Sequence, residues 1–418
     1  MFLPTMEVPA KFKRDYKRVL TASVSYGLVD GLLFIPMALY AYTLSGSLPM
    51  VGFILSLPFL AIFIMSFVWG AIADKIGSYK WPIVVGNFIT GILFFPMSYL
   101  PIYGLFMLRA VQVFFYSANV LGVAMVTEML PENKGEGTAS VSLWTSVGWL
   151  VGGIFSGIVY FYGGMPILFP LCGLLSFVTG SVLIPMGRLD KPEAVISIKD
   201  TFKLTNGRTI GLMLLIIGLT YIANRAVFSV FPVYLEKIHL LNPIQIGLLS
   251  STAGIMGAIV VVAIGRHVDR SGRRPMFIFA VFSYLAIWLV LLFTDNIIFV
   301  ILVWMVPSWS FMSISATAMI SDLTSTKERG RGIGAFNSAL NLGQFIGAVI
   351  SGLVAGWFSG LLPSWLNVHT FKGVWLFAVL LLILPFLLAF GVPETLKTKL
   401  GKAKYAPVAG SARHQEEE

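Results

Sequence analysis

Three charged side chains fall deep inside long apolar stretches of this sequence: Asp30, Arg109 and Arg225. A full charge at the centre of a membrane helix costs about 2.5–3.5 kcal/mol on insertion scales, so each should face an aqueous cavity and find a partner there. Asp30 is the one acid at that depth, because Glu128 and Glu236 sit at the ends of their stretches. Burial and a neighbouring arginine act in opposite senses on a carboxyl's proton affinity, so a shift in the arginine contact can load or unload the proton. Asp30 is therefore the candidate proton carrier; the competing reading is a static ion pair. No nucleophile–base pair, nucleotide loop or metal-ligand cluster stands at a credible depth. The reading is accordingly no enzyme, no catalytic residue, no cofactor and no metal. The lone Cys172 excludes an internal disulfide and a cysteine metal site.

Polar residues at helical spacing surround these charges. Arg109, Gln112, Tyr116 and Asn119 recur at i, i+3, i+7 and i+10. Tyr26, Asp30 and Phe34 share one helical face, and Tyr221, Asn224, Arg225 and Phe228 group on another. Asn337 and Asn341, with Gln344, form a third stripe. A polar stripe in an apolar helix points away from lipid, so these residues are read as lining a cavity. For Asn337 and Asn341, interhelical glue is an equal alternative.

The elements that must position them follow from composition. The 418 residues are 57% hydrophobic and only 11% charged, which excludes disorder and an ordinary soluble enzyme. A crossing needs about 20 apolar residues. Twelve such spans are expected, at 19–43, 50–73, 81–99, 102–127, 138–162, 165–187, 211–235, 244–265, 275–294, 296–320, 333–358 and 373–392. With the N-terminus inside, 25 of the 29 Lys and Arg fall on the cytoplasmic side, and only Lys237 and Lys372 fall outside. That split predicts cytoplasmic termini in a cell (plasma) membrane and explains the net charge of +10 without nucleic acid. The basic residues at 11–18 would also hold anionic membrane lipid. His267 and His369 fall at rims and carry no expected role.

The chain also repeats itself. Shifted by 195 residues, Gly52, Gly70, Gly77, Gly135, Gly137, Gly148, Gly152 and Gly157 land on glycines, where chance would give about two matches. Asp30 and Arg225 are related by the same shift. The expected fold is all-α, with two parallel-repeat six-helix bundles. They would comprise residues 1–187 and 210–418, joined by a polar cytoplasmic linker at 188–209. From helix rise, Asp30 lies about 16 Å from the cytoplasmic end, Arg225 about 21 Å and Arg109 about 28 Å. Depth thus favours Arg225 as the partner of Asp30.

The loops after spans 2 and 8 carry a shared pattern: Gly70, Asp74, Lys75 and Gly77 in one, and Gly265, Asp269, Arg270, Gly272, Arg273 and Arg274 in the other. Both resemble the G-x-x-x-D-[RK]-x-G-[RK]-[RK] signature of the major facilitator superfamily. The Leu105–Val113 segment is similar to a motif of proton-driven drug exporters in that family, with Val113 replacing Gly. Gly148–Gly153 resembles the antiporter motif, with Trp149 replacing Pro. Pro393-Glu394-Thr395 resembles the family's helix-ending triplet. The resemblance implies alternating access, with the two loops as a conformational latch. The favoured expectation is a monomeric, proton-coupled exporter of amphipathic or drug-like small molecules. The alternative is proton-coupled uptake or exchange of a small organic anion or other metabolite, since two arginines against one acid leave a net positive site. A non-transporting membrane sensor or enzyme is the third.

Overall fold

The computed structural model describes residues 9–130, 134–187, 206–325, 328–363 and 369–396. Every regular element in it is a helix. Ten stretches among the described residues are long and apolar enough to cross a membrane; one of them, Glu136–Leu183, is 48 residues long. At about 20 residues per crossing, that length accommodates two. It breaks at Gly164 (φ 59°, ψ −165°), a left-handed φ that glycine adopts freely. The break falls between the expected spans 5 and 6. Span 8 is the helix Pro243–Ser271, opened by a capping box between Asn242 and Gln245.

Span 1 is Lys13–Ser45 and span 2 is Leu48–Ile76. Span 3 is Lys80–Phe94, extended by a tighter turn at Phe95–Tyr99. Span 4 runs as Ile102–Tyr116, a 3-10 stretch at Ser117–Val120, then Leu121–Met129. Span 7 is Gly207–Ile238, span 9 is Arg273–Phe293, span 11 is Arg329–Ser359 and span 12 is Thr370–Ala389. Span 10 is split around Pro307 into Ile297–Trp304 and Ser308–Leu323. Several helices outrun their apolar cores. Span 1 begins six residues before residue 19 with a basic turn, because lysine and arginine stems can extend the charged heads to water.

Within each half, glycines bring two helices into backbone contact. A methyl on Gly148 would overlap the Val24 carbonyl, and one on Gly152 the Leu28 carbonyl, so spans 1 and 5 touch directly. Gly343 and Gly347, their counterparts at the 195-residue shift, press on the Gly218 and Ile222 carbonyls of span 7. The antiporter-like glycines thus serve packing in both halves. Gly148→Ala is expected to cost about 1–3 kcal/mol of stability, the usual range for overpacking. Gly356→Ala, where a methyl meets nothing within 4 Å, should be neutral or stabilising by up to about 1 kcal/mol. Thermal unfolding of the two variants in detergent checks the contrast.

Among the described residues, the close backbone contacts between the two halves gather toward one face. Lys13, Lys80 and Arg273 mark one end of the bundle, the basic face. On the opposite face Gly52 abuts Ala348 and Ser351, Gly352 abuts Leu48 and Pro49, and Gly157 abuts Pro243. Lys237 of span 7 also lies over the Tyr42 ring of span 1, at 5.5 Å. On the basic face, a methyl at Gly70, Gly265, Gly330 or Gly334 would meet nothing within 4 Å. Among the described residues, the close backbone contacts between the halves lie on the opposite face, while these four glycines of the basic face are open.

Candidate functional site

Span 1 carries Asp30 where its backbone lies hard against span 5. Gly27 rests on the Thr145 carbonyl and Gly31 on the Trp149 carbonyl. One turn below Asp30, the Tyr26 ring lies tilted against Tyr116 of span 4 at 4.7 Å, and the Tyr116 hydroxyl donates to the Tyr26 carbonyl at 2.8 Å. Spans 1 and 4 run in opposite directions. One turn beyond Tyr26 on span 1 therefore lies level with Gln112 and Arg109 on span 4.

Arg109 is 4% exposed. Its Nη1 donates to the Gln112 side-chain carbonyl, and its guanidinium sits 6.0 Å from the Phe94 ring. Arg109 Nε and Gln112 Nε2 are buried and meet no hydrogen-bond acceptor among the described residues. Arg225, 9% exposed, lies 4.4 Å from the Phe59 ring and 5.6 Å from the Phe34 ring, and its Nε likewise has no acceptor. Asp30 is half-buried and within electrostatic range of both arginines, more strongly of Arg109. It makes no direct ion pair with either among the described residues. Depth alone favours Arg225; in the structure the charge of Arg109 acts on Asp30 more strongly.

The other expected cavity residues divide. Phe34 and Phe228 face each other across the halves at 6.1 Å, with Trp149 5.7 Å from Phe34 and Trp304 4.6 Å from Phe228. Asn224 has a buried side-chain oxygen with no partner among the described residues. Tyr221, by contrast, turns into the C-terminal half, edge-on to Tyr284 and Trp309. Asn119 pairs with Asn87 of span 3. It also lines a cavity of about 310 Å³ with Tyr26, Ser23, Ser142 and Thr145, on the basic-face side of Asp30. Asn337 is exposed, and Asn341 donates to the Asn337 carbonyl of its own helix.

The motif loops are turns of the expected kind. Gly77 (φ 68°) ends span 2, and Gly272 (φ 106°) separates spans 8 and 9. Around Gly272, hydrogen bonds join residues of the C-terminal half to one another. Glu394 accepts the backbone N–H groups of Arg273 at 3.1 Å and Arg274 at 3.2 Å, so its carboxylate caps the start of span 9. Arg273 donates to Asp322 and to the Ala318 carbonyl, and Arg274 to the Phe390 carbonyl. The helix-ending triplet is thus a cap for another helix. Asp74 and Lys75 make no hydrogen bond or ion pair across the halves among the described residues. The side chains of His267, Asp269 and Arg270 lie outside those described.

A network at the opposite face escaped the sequence reading. Asp295, between spans 9 and 10, takes Lys372 Nζ at 2.7 Å, His369 Nε2 at 3.0 Å and the Tyr234 hydroxyl at 3.3 Å. Since Tyr234 donates its single hydroxyl proton to Asp295, His239 Nε2 at 2.9 Å must donate to Tyr234. His369 therefore has a partner and a position, contrary to its reading as an idle rim residue. Lys372, read as an outer-loop cation, is 1% exposed. These residues lie far apart in sequence, and no periodicity joins them.

Burial pushes the Asp295 carboxyl up, but hydrogen bonds and charge from His369 and Lys372 hold it below its ordinary value. A depressed carboxylate contributes stability above its unfolded-state value and loses it as pH falls through the native one. The network is therefore expected to stabilise the protein fully at neutral pH and to fade below about pH 4. Asp295→Asn should lower the melting temperature at pH 7 and leave a shallower acid limb. Melting curves of both proteins from about pH 7 to pH 3 test this, and parallel curves would remove the network from the stability balance.

The comparisons with known proteins agree with this architecture. A search of curated proteins returns no match. Among solved structures, the nucleoside transporter NupG superposes with a TM-score of 0.72 at 16% identity, covering 90% of this chain and 98% of that one. A bacterial homologue of the human lysosomal transporter Spinster, inward-facing and occupied, gives 0.74 at 13%, with 92% and 97% coverage. A D-xylose–proton symporter gives 0.71 at 12%, with 92% and 99% coverage. The sequence profile of the Major Facilitator Superfamily matches residues 19–207 and 213–414. With that match spanning both six-helix halves, the chain belongs to the Major Facilitator Superfamily of membrane transporters.

Proposed function

We propose that this transporter couples a proton to the movement of a small organic anion with a flat, apolar body. The observation that carries this reading is the charge balance at mid-depth. Two buried arginines stand near one carboxylate, and both Nε groups lack an acceptor among the described residues. An anion would supply charge-assisted acceptors, while Phe34, Phe59, Phe228 and Trp149 would hold a planar body. Asp30 carries the proton in this scheme. When a bound anion draws an arginine away, the carboxyl takes up a proton; when the anion leaves, the arginine returns and the proton is expelled.

Under the positive-inside orientation the basic face is cytoplasmic, both termini lie in the cytoplasm and the conformation described is inward-facing. The two halves, residues 1–187 and 210–418, rock about the mid-depth site. The linker at 188–209 falls almost wholly outside the described residues. The turns at Gly77 and Gly272 would latch the basic face in the opposite state. One structural neighbour is named as a proton symporter, which is consistent with proton coupling. A second reading, export of amphipathic drug-like compounds, is favoured by the Leu105–Gln112 segment and the aromatic walls.

Proteoliposomes with an imposed pH gradient separate the two. Accumulation of aromatic carboxylates, saturable and abolished by a protonophore, is the expected result. Movement of cationic dyes with no carboxylate transport would overturn the proposal in favour of the second reading.

A further inference from the structure

The seal on the opposite face and the Arg225 site are connected by a contact that belongs to neither. Arg225 is on span 7, in the C-terminal half. The two rings nearest its guanidinium, Phe59 at 4.4 Å and Phe34 at 5.6 Å, are on spans 2 and 1, in the N-terminal half. The Arg225 side chain makes no hydrogen bond or ion pair with a described residue. Both rings lie across the divide, as does Asp30, which is within electrostatic range but not in contact as an ion pair. On span 2, Phe59 lies seven residues from Gly52, which abuts Ala348 in the seal. That separation is about 10 Å of helix toward the basic face. On span 1, Phe34 lies two turns beyond Tyr26, which lines the cavity on the basic-face side. The contact therefore occupies the layer between the closed seal and the open side.

We propose that Phe59, with Phe34, forms a cation–π bracket that parks the Arg225 guanidinium across the divide and so helps hold the opposite-face seal shut. Phe59 is a positioning residue that acts through Arg225. A guanidinium over ring faces is attracted by their quadrupoles, and most strongly where water is excluded. When the halves part on the opposite face, Arg225 moves with span 7 while both rings move with the N-terminal half, so the bracket must open. An anion reaching Arg225 competes with the rings for the same cation. Binding would thereby loosen the seal, because a ligand shifts an equilibrium by its differential affinity for the two states.

The inference rests on the alternating-access reading but not on the identity of the substrate. The test therefore uses no substrate. Spin labels at Tyr162→Cys and Leu361→Cys, exposed on opposite halves at the sealed face, report its opening in nanodiscs by pulsed electron resonance, with the buried Cys172 changed to Ala. Phe59→Leu is expected to raise the open-to-closed ratio on the order of tenfold. Because that variant changes ring volume as well as charge distribution, the decisive series is phenylalanine, monofluoro- and trifluorophenylalanine at position 59. Shape is nearly constant along it while the ring face loses its negative character. A ratio rising stepwise along the series, and flat in an Arg225→Met background, is the expected result. A series that is flat with Arg225 present, or a rise in Phe59→Leu alone, would overturn the bracket and leave Phe59 as packing bulk. Failure of carboxylate transport would leave this experiment intact, so the two proposals fail separately.

Discussion

Asp30→Asn is expected to abolish uphill transport while leaving the protein folded and able to equilibrate substrate. Each proton moved allows about tenfold accumulation per unit of pH gradient, since one unit corresponds to 1.36 kcal/mol. A variant with no exchangeable proton at mid-depth should bring the inside and outside concentrations together whatever the gradient. The reason lies in the surroundings of residue 30. It is the acid within range of both buried arginines, and no ion pair among the described residues holds it to either. A carboxylate locked in a direct pair would be costly to remove, by about 3–5 kcal/mol. Asp30 is not locked in that way. The melting temperature of the Asn variant should therefore stay near that of the wild type while the pH dependence of transport disappears. Retained proton-driven accumulation would remove Asp30 from the mechanism. A collapsed melting temperature would point instead to a structural ion pair.

Arg109→Met should have the second largest effect, on substrate affinity rather than on fold. Arg109 is buried, its one side-chain hydrogen bond is to Gln112 on its own helix, and its Nε has no acceptor among the described residues. Hydrogen bonds to a charged group contribute about 1.5–3 kcal/mol, so loss of one to a bound anion should weaken apparent affinity by roughly 10- to 100-fold. Replacing a buried, weakly satisfied charge with an apolar chain of similar length is commonly neutral or stabilising. Arg109→Lys should fall between, because it keeps the charge but not the planar fork. Binding measured with an aromatic carboxylate, beside a melting curve, checks both halves of the expectation. Unchanged affinity in the Met variant would place the anion site elsewhere, nearer Arg225.

How much of this was legible beforehand depended on whether the signal was local. A crossing is set by some twenty consecutive residues with no water to satisfy their backbone, so the helices appear as runs in the chain. The turn at Gly164 and the caps at Gly77 and Gly272 are legible for the same reason, being steric requirements of single residues. The 195-residue repeat predicted two equivalent bundles, and the matching backbone contacts of Gly148 and Gly343 follow from it. Asp30, Arg109 and Arg225 stand out because a charge in oil needs a reason.

Partners across space were not legible. Helix rise placed Arg225 at the better depth for Asp30, whereas in the structure Arg109 acts on it more strongly. Phe59 lies in a span so evenly apolar that no period marks its face. Tyr221 shares the Arg225 helix yet turns into its own half. Asp295, His369 and Lys372 meet only because span 12 returns beside the loop after span 9.

The amino-acid order by itself thus determined which segments leave water, where the chain turns and which ionised groups must be enclosed. Each of these is a transfer cost or a steric limit carried by a residue and its immediate neighbours. The tertiary structure alone decided which side of the divide each group faces and which ring or carboxylate it meets. Those choices depend on helix rotation and on backbone contacts between segments distant in sequence, so no single stretch of the chain contains them.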